Sequence, residues 1–274
     1  MQKVNVYMMS PRVVLPKLNE NKKFWITLGV LVWLYLVVSN LPAVWGAYAL
    51  TRGGDIAMNG VSGTVWSGRA SLVSVKIKGL DQSIGQLTWK LNVFSLVTLK
   101  PCALITTKMD NQEFDGYVCV KGKNGLTVND ASMTFPAALV QPMLPLAVSG
   151  QFALTIEQLD ISDSRLQKMR GKATWADGKI HNGSNWMSLG GLGAELADDG
   201  KNGLNAHIVD ISGPLHMDLN GSLPYPTGAR VTGNLAMPEL YFREINAAAW
   251  LSMFAVQQAN DAQGNIVYAV DLNF

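Results

Sequence analysis

The sequence predicts a mainly β protein, in which a single N-terminal transmembrane helix precedes an antiparallel, curved β-sheet or sandwich-like domain with one or two short helices. Three observations lead to this fold class. No residue between Phe24 and Thr51 is charged, which is typical of a membrane span. Beyond that run, apolar and polar residues alternate with a period of two, as in half-buried strands. Asn-Gly and Asp-Gly pairs recur along these runs, which indicates tight turns.

The positive charge of the chain belongs to its first residues. Residues 1–23 hold five basic side chains and a single acidic one, although the whole chain has 22 basic and 20 acidic residues. The rest of the chain therefore has a slight acidic excess. An acidic domain offers no electrostatic basis for binding nucleic acid, so no nucleic-acid partner is expected.

Residues 24–48 are predicted to form an uncleaved transmembrane signal anchor. At a rise of about 1.5 Å per residue, roughly 20 residues cross the hydrocarbon core of a bilayer. Lys22 and Lys23 directly precede the run, so residues 1–23 should stay in the cytoplasm while residues 49–274 are exported. The side chains expected in the lipid or at its two interfaces are Trp25, Leu28, Leu31, Trp33, Leu36 and Trp45.

Two other interpretations of the apolar run stay open at this point. Ala47-Tyr48-Ala49 resembles a signal-peptidase site, so the run could be a cleaved signal peptide. The long basic leader and the length of the apolar stretch favour an anchor instead. The run could also be a buried core helix, but a basic leader before a long apolar stretch is the usual design of a membrane anchor.

The two cysteines are expected to form a structural disulfide. Cys102 and Cys119 lie in two β-prone runs separated by Asp110-Asn111. If that polar pair closes a hairpin, Cys102 falls directly opposite Cys119, at a distance that a disulfide can bridge. An oxidising periplasm favours the bridge. Two buried free thiols are the alternative, whereas the spacing suits neither a redox pair nor a zinc site.

The exported region, residues 49–274, is predicted to be an antiparallel meander. Short helices are expected at Phe135–Leu144 and Ile245–Phe254. A weak echo between Gly60–Ala70 and Gly171–Gly178 suggests two similar halves, about 55–145 and 146–274, although Gly-flanked strands also resemble one another by chance. The pairs expected in tight turns are Asn59-Gly60, Asp115-Gly116, Asn124-Gly125, Asp177-Gly178, Asn182-Gly183, Asn202-Gly203 and Asn220-Gly221.

The sequence carries no recognisable catalytic or cofactor motif. Its three histidines fit no metal spacing, and no nucleophile elbow, phosphate-binding loop or dinucleotide fingerprint occurs. Asp198-Asp199 could touch a cation, but it precedes Gly200 in a polar segment that is typical of a solvated turn. The expectation is therefore a protein that is not an enzyme and that has no catalytic residue, metal or cofactor.

A collinear set of segments resembles the protein N (GspN) family of the type II secretion system. The resemblance covers nearly the whole chain in order, although no single segment is diagnostic. The segments that carry it are Asn40–Ala43, Gly60–Gly68, Gly171–Trp175, Leu189–Leu192, Gly213–Leu215 and Asn220–Leu223.

Membership of this family implies a single-pass protein of the bacterial inner membrane, with its main domain in the periplasm. It implies an accessory, structural role in a machine that moves folded proteins across the outer membrane. The partners implied are inner-membrane platform proteins (C, L, M and F), with the outer-membrane secretin as a further candidate, and the lipid bilayer. The family has no known cofactor.

A lipid- or hydrophobe-binding module is the alternative function. The Gly-rich strands are similar to those of AsmA-like periplasmic proteins, in which a curved sheet forms an apolar trough. This alternative predicts that one face of the sheet is apolar and uncovered. A closed and well-filled core would instead favour a scaffold.

Overall fold

The computed structural model describes residues 22–77, 80–122, 124–141, 144, 146–181, 183 and 185–273. The predicted cytoplasmic tail, residues 1–23, lies almost wholly outside them. The chain divides after Leu41 into two units, the first ending at that residue and the second running from Pro42 to Phe274.

The helices are α1 (Lys22–Ser39), α2 (Ala43–Thr51), α3 (Val93–Val97), α4 (Glu239–Glu244) and α5 (Ala247–Leu251), with a 3₁₀ turn at Ala137–Leu139. The strands are β1 (Ile56–Asn59), β2 (Ser62–Gly63), β3 (Ser67–Ile77), β4 (Leu80–Asn92), β5 (Cys102–Met109), β6 (Gln112–Lys121), β7 (Gly125–Pro136), β8 (Val148–Ser162), β9 (Arg165–His181), β10 (Trp186–Asp198), β11 (Leu204–Ser212), β12 (His216–Leu223), β13 (Arg230–Met237), β14 (Ala255–Gln257) and β15 (Ile266–Asn273).

Helix α1 is shorter than the apolar run that predicts it. It ends at Ser39, where the Asn40 side chain donates a hydrogen bond to the Leu36 carbonyl oxygen at 2.8 Å. Pro42 accounts for the break, because proline disfavours helical geometry at the residue before it and has no backbone N–H to continue the helix. The apolar run resumes as α2, which belongs to the second unit.

Within the described residues, the fifteen strands belong to one sheet and all their pairings are antiparallel. From one edge to the other, the order is β1-β3-β4-β5-β6-β7-β8-β9-β10-β11-β12-β13-β15-β14, with the short β2 also paired to β3. Consecutive strands are therefore neighbours along almost the whole sheet, and the predicted meander is confirmed. The strands form one sheet rather than the two packed sheets of a sandwich.

The register separates an apolar face from a polar face. Directly paired residues in an antiparallel sheet point to the same side. One row of paired residues crosses β3 to β14 and is apolar except at Thr107 and Gly233: Ala70, Leu87, Thr107, Phe114, Met133, Leu154, Ala173, Ala194, Ile208, Leu219, Gly233, Val270, Ala255.

The neighbouring row points to the other side and is polar at every position. It crosses β3 to β15 through Arg69, Thr88, Thr106, Asp115, Ser132, Thr155, Lys172, Glu195, His207, Asn220, Thr232 and Asp271. Such a pattern is typical of a sheet with one face in water and one face covered or available to an apolar ligand.

The N-terminal part of the sheet curves toward its apolar face. Five strand spacings separate β1 from β7, which is about 24 Å in a flat sheet. Nevertheless, Ile56 of β1 and Phe135 of β7 line the same cavity of about 520 Å³. A shared cavity of this size indicates that the sheet bends around it.

The C-terminal part of the apolar face is covered by α4 and α5. Leu251 and Ala247 of α5 are completely buried against Met237 of β13 and Tyr268 of β15. A second, smaller cluster is centred on Val128, Ala131, Ile156 and Met169 of β7 to β9. The helix predicted at Ile245–Phe254 is thus present as α5, and α4 precedes it.

Several local predictions need correction. Asp115-Gly116, Asp177-Gly178 and Asn220-Gly221 lie inside β6, β9 and β12 rather than in turns. Gly116 is required there by packing, because a Cβ atom at this position would meet the Ala131 Cβ atom at 2.5 Å. The helix expected at Phe135–Leu144 is reduced to the 3₁₀ turn, because β7 continues to Pro136; residues 142 and 143 lie outside the described part.

Candidate functional site

The disulfide joins the two predicted cysteines. Cys102 begins β5, and its registered partner across β6 is Cys119. The sulfur atoms are 2.12 Å apart and the Cα atoms 4.0 Å apart. The bridge fixes the hairpin next to the segment that connects β4 to β5, where the Val120 N–H also donates to the Pro101 carbonyl oxygen at 2.9 Å.

The predicted membrane side chains fall on two helices. Trp25, Leu28, Leu31, Trp33 and Leu36 lie on α1, and all are exposed. Among the described residues, α1 is the one helix that is long and apolar enough to span a membrane, with 18 residues. At about 27 Å, its length is close to the thickness of the hydrocarbon core.

Helix α2 packs on the sheet through its small residues. Ala43 and Ala47 are buried, and a Cβ atom on Gly46 would lie 3.6 Å from the Val65 side chain. Its large residues, including Trp45 and Tyr48, instead point to solvent. Trp45, predicted at the far membrane interface, therefore lies on a helix of the sheet domain, with 72% of its surface exposed.

Two apolar cavities lie on the covered side of β1 to β7. The first, about 260 Å³, lies between α2 and the sheet, where Trp89 and Leu91 form part of its wall. The second, about 520 Å³, extends toward the 3₁₀ turn at Ala137–Leu139. Met58, Leu87 and Ile105 line both cavities, so the two adjoin along the apolar face. We call them together the apolar trough.

Trp89 and Trp175 lie on the apolar side of the sheet, Trp89 at the trough and Trp175 against the larger core cluster. Trp89 is half-buried at the trough, and its indole N–H donates to the Val65 carbonyl oxygen at 3.0 Å. Trp175 is also half-buried and stacks on Phe152, with ring centroids 5.2 Å apart. Its indole N–H donates to the Ser149 carbonyl oxygen at 3.0 Å.

The polar face holds ion pairs between adjacent strands. Lys172 faces Glu195 at 3.3 Å, and Arg230 faces Asp271 at 3.2 Å. At one end, the Asp210 carboxylate accepts hydrogen bonds from the Met217 N–H and from His216. Partial burial acts to raise the pKa of Asp210, but these hydrogen bonds outweigh it and lower the pKa below its ordinary value.

The acidic pair that could have touched a cation forms a turn. The Asp199 carboxylate accepts hydrogen bonds from the backbone N–H groups of Lys201 and Gly203, and these lower its pKa. The Asp198 carboxylate accepts from the Gly200 and Met169 N–H groups. In the described part of the chain, no three His, Cys, Asp or Glu side chains come together as metal ligands.

A group of exposed apolar side chains on the β4–β5 connection was missed by the sequence prediction. Val93, Phe94 and Val97 of α3, with Leu99 after it, point to solvent. The signal was available as an apolar run between Asn92 and Lys100, but its short length resembles a strand end. We call these four residues the α3 tip.

Most of the sheet that carries the trough lies in the region matched by a known family. The family model described as "Type II secretion system (T2SS), protein N" matches residues 55–265, from the residue before β1 to the residue before β15. The chain belongs to this family. The match covers strands β1 to β14, the disulfide hairpin, the α3 tip and the smaller core cluster. It leaves out α1, the α2 wall of the trough, and β15, whose Tyr268 and Val270 belong to the larger cluster.

Three bacterial proteins named type II secretion system protein N are similar to this chain. The protein of Aeromonas hydrophila is 28% identical over 60% of this chain and 68% of its own length. That of Vibrio cholerae is 26% identical over 56% of this chain and 62% of its own length, just under two thirds. That of Klebsiella pneumoniae is 24% identical over 88% of this chain and 93% of its own length. No solved structure matches the chain.

Proposed function

We propose that the chain is an accessory, structural component of the inner-membrane platform of a type II secretion system, anchored by α1 with its sheet domain in the periplasm. Membership of the protein N family supports the secretion role and implies contact with other components of that system. The observation that carries the membrane and periplasmic placement is an exposed apolar helix followed by a domain with a disulfide.

The state of Cys102 and Cys119 in cells tests the placement of the domain. Whole cells are treated with a thiol-reactive maleimide that adds mass, after denaturation with or without a reductant. A periplasmic domain keeps both sulfurs oxidised, so modification requires the reductant. Modification without reductant in a normal cell, at a level equal to that with reductant, would contradict the proposed topology.

The two edges of the sheet are the places where a secretion partner would add a strand. The outer sides of β1 and β14 carry no paired strand in the described part of the chain. An unpaired edge offers free backbone donors and acceptors to an extended segment of another protein. Val256 of β14 is 68% exposed, which makes it a suitable reporter position.

Photocrosslinking in cells tests the role directly. A photoreactive residue is placed at Val256 on the edge and, as a matched control, at Ile211, an exposed apolar residue of the interior strand β11. We expect platform proteins or the secretin to be captured from Val256 and not from Ile211. If scanning other exposed positions of the sheet also captures no secretion protein, the structural role is wrong.

A second function, binding of a lipid or another apolar chain, is favoured by the trough. Its two cavities adjoin, and apolar side chains dominate their walls. Sites of this size and character are typical of apolar ligands. A photoreactive residue at Ile105 faces the trough, whereas one at the adjacent Thr106 faces the polar side. A lipid-sized adduct at Ile105 alone would support this function, and adducts at neither or at both positions would reject it.

A further inference from the structure

The α3 tip exposes a large apolar surface for so short a segment. Phe94 and Leu99 are each 85% exposed, Val97 is 83% exposed and Val93 is 54% exposed. Single exposed apolar side chains are common, but four within seven residues form a patch that is expected to meet an apolar environment.

Polar side chains of this segment hydrogen-bond several of its backbone groups. Asn92 accepts a hydrogen bond from the Phe94 N–H at 3.1 Å and caps α3. Ser95 donates to the Asn92 carbonyl oxygen at 2.5 Å and accepts from the Cys102 N–H at 2.9 Å. Thr98 donates to the Ser95 carbonyl oxygen at 2.8 Å. Each polar group that is bonded within the segment lowers the cost of moving the segment out of water.

The α3 tip lies at the end of the sheet where the chain arrives from α1. Pro42 forms an isolated bridge with Thr64. Two residues further, the Trp66 carbonyl oxygen accepts from the Leu91 N–H at 2.7 Å, and α3 begins two residues after Leu91. Only Asn40 and Leu41 separate Pro42 from the last residue of α1. A bilayer that holds α1 therefore tethers this end of the sheet to its surface.

The charge around the α3 tip suits lipid headgroups. Lys90 and Lys100 flank the segment, and no acidic residue occurs between Asp81 and Asp110. Basic residues beside an apolar segment are typical of interfacial membrane binding, because they meet anionic headgroups while the apolar side chains enter the acyl region.

We propose that the α3 tip inserts into the interfacial region of the bilayer that holds α1 and so gives the sheet domain a second membrane contact. This inference rests on the proposed membrane anchoring by α1. A bilayer suits the tip better than a protein groove does, because a lipid surface needs no complementary shape. The short connection to α1 also gives the tip a high effective concentration at that bilayer.

Site-directed spin labelling of the full chain in vesicles tests this contact. A cysteine that carries a nitroxide is introduced at Val97, with the native disulfide kept oxidised. Matched labels are placed at Val256, a similarly exposed valine on β14, and at Leu31 in α1. The vesicles contain phosphatidylcholine, with or without phosphatidylglycerol. Collision rates with oxygen and with a water-soluble nickel chelate then report the depth of each label.

We expect an oxygen-to-nickel ratio at Val97 several-fold higher than at Val256, with a further rise when phosphatidylglycerol is present. A lipid-buried Leu31 label with a water-exposed Val97 label would overturn the α3 contact but leave the anchor intact. A water-exposed Leu31 label would overturn the anchor, and the α3 contact with it. A label at Phe94 repeats the measurement on the other side of the tip, so that a local perturbation at Val97 does not decide the result.

Discussion

At the scale of single residues, the stability of the fold depends on positions where neighbouring strands are linked or pass close together. The disulfide is one of them, because it links β5 to β6 across a separation of 17 residues. In the chain-entropy description, closing a loop of this length stabilises the folded state by about 3 kcal/mol. We expect the C102S/C119S double variant to lose about this much free energy of unfolding.

Urea unfolding of the purified full chain, followed by tryptophan fluorescence, measures the loss. The control is the unchanged chain with reductant, which should fall to the stability of the double variant. Reductant should have no effect on the double variant itself. Equal stability of the oxidised chain and the double variant would contradict the prediction.

Gly190 is a second such residue, because it lies where β10 passes close to β11. Its φ angle is +86°, and a Cβ atom there would collide with the Ser212 carbonyl oxygen and approach the Gly213 Cα atom at 2.7 Å. We expect Gly190→Ala to lower the free energy of unfolding by about 2–4 kcal/mol, since both the backbone conformation and the contact are strained.

Gly183→Ala is the matched control for the collision. Gly183 also has a positive φ angle, +95°, but nothing lies within 4 Å of its added Cβ atom. Its cost should be about 1 kcal/mol, from backbone conformation alone. Thermal unfolding of the two variants side by side checks the difference, and equal losses would show that the close approach is unimportant.

At the scale of elements, α5 holds the C-terminal part of the apolar face. Leu251 is completely buried, whereas Leu240 of α4 is 84% exposed. We expect Leu251→Ala to cost about 3 kcal/mol, because it leaves a cavity in the larger cluster. Leu240→Ala should change stability by less than about 0.5 kcal/mol. Denaturant midpoints of the two variants test this, and similar midpoints would contradict the packing of α5.

At the scale of the whole molecule, the sheet should unfold as one cooperative unit rather than as two halves. The suggested boundary at residues 145 and 146 lies between β7 and β8, which pair along eleven residue positions. Strand β9 belongs to both clusters, because Met169 lies in the smaller one and Trp175 packs against the larger one. Destabilising one cluster should therefore weaken the other.

Hydrogen exchange measured by mass spectrometry tests this coupling in the Leu251→Ala variant. We expect peptides from β4 to β6 to lose slow-exchange protection together with peptides from β12 to β15. The Leu240→Ala variant should leave both groups of peptides unchanged. If only the C-terminal peptides lose protection, the two predicted halves fold separately.

The sequence by itself determined the features that depend on local pattern. Alternation gives the strands, because side chains alternate faces along a strand, and consecutive strands pair as a meander. Counting residues outward from the Asp110-Asn111 turn placed Cys102 opposite Cys119, because the length of a short turn sets the register of the two strands that it joins. The charge-free run identified α1, since length and composition alone define an apolar helix.

The tertiary structure decided what depends on distant neighbours. Asp115-Gly116 lies in β6, where Ala131 of β7 approaches Gly116 too closely for a side chain, and no local signal contains that contact. The apolar run forms two helices rather than one. Pro42 ends α1, and the small residues of α2 pack against the sheet. The trough and the α3 tip arise from curvature and from a connection between strands, so their apolar residues look like ordinary core residues in the sequence.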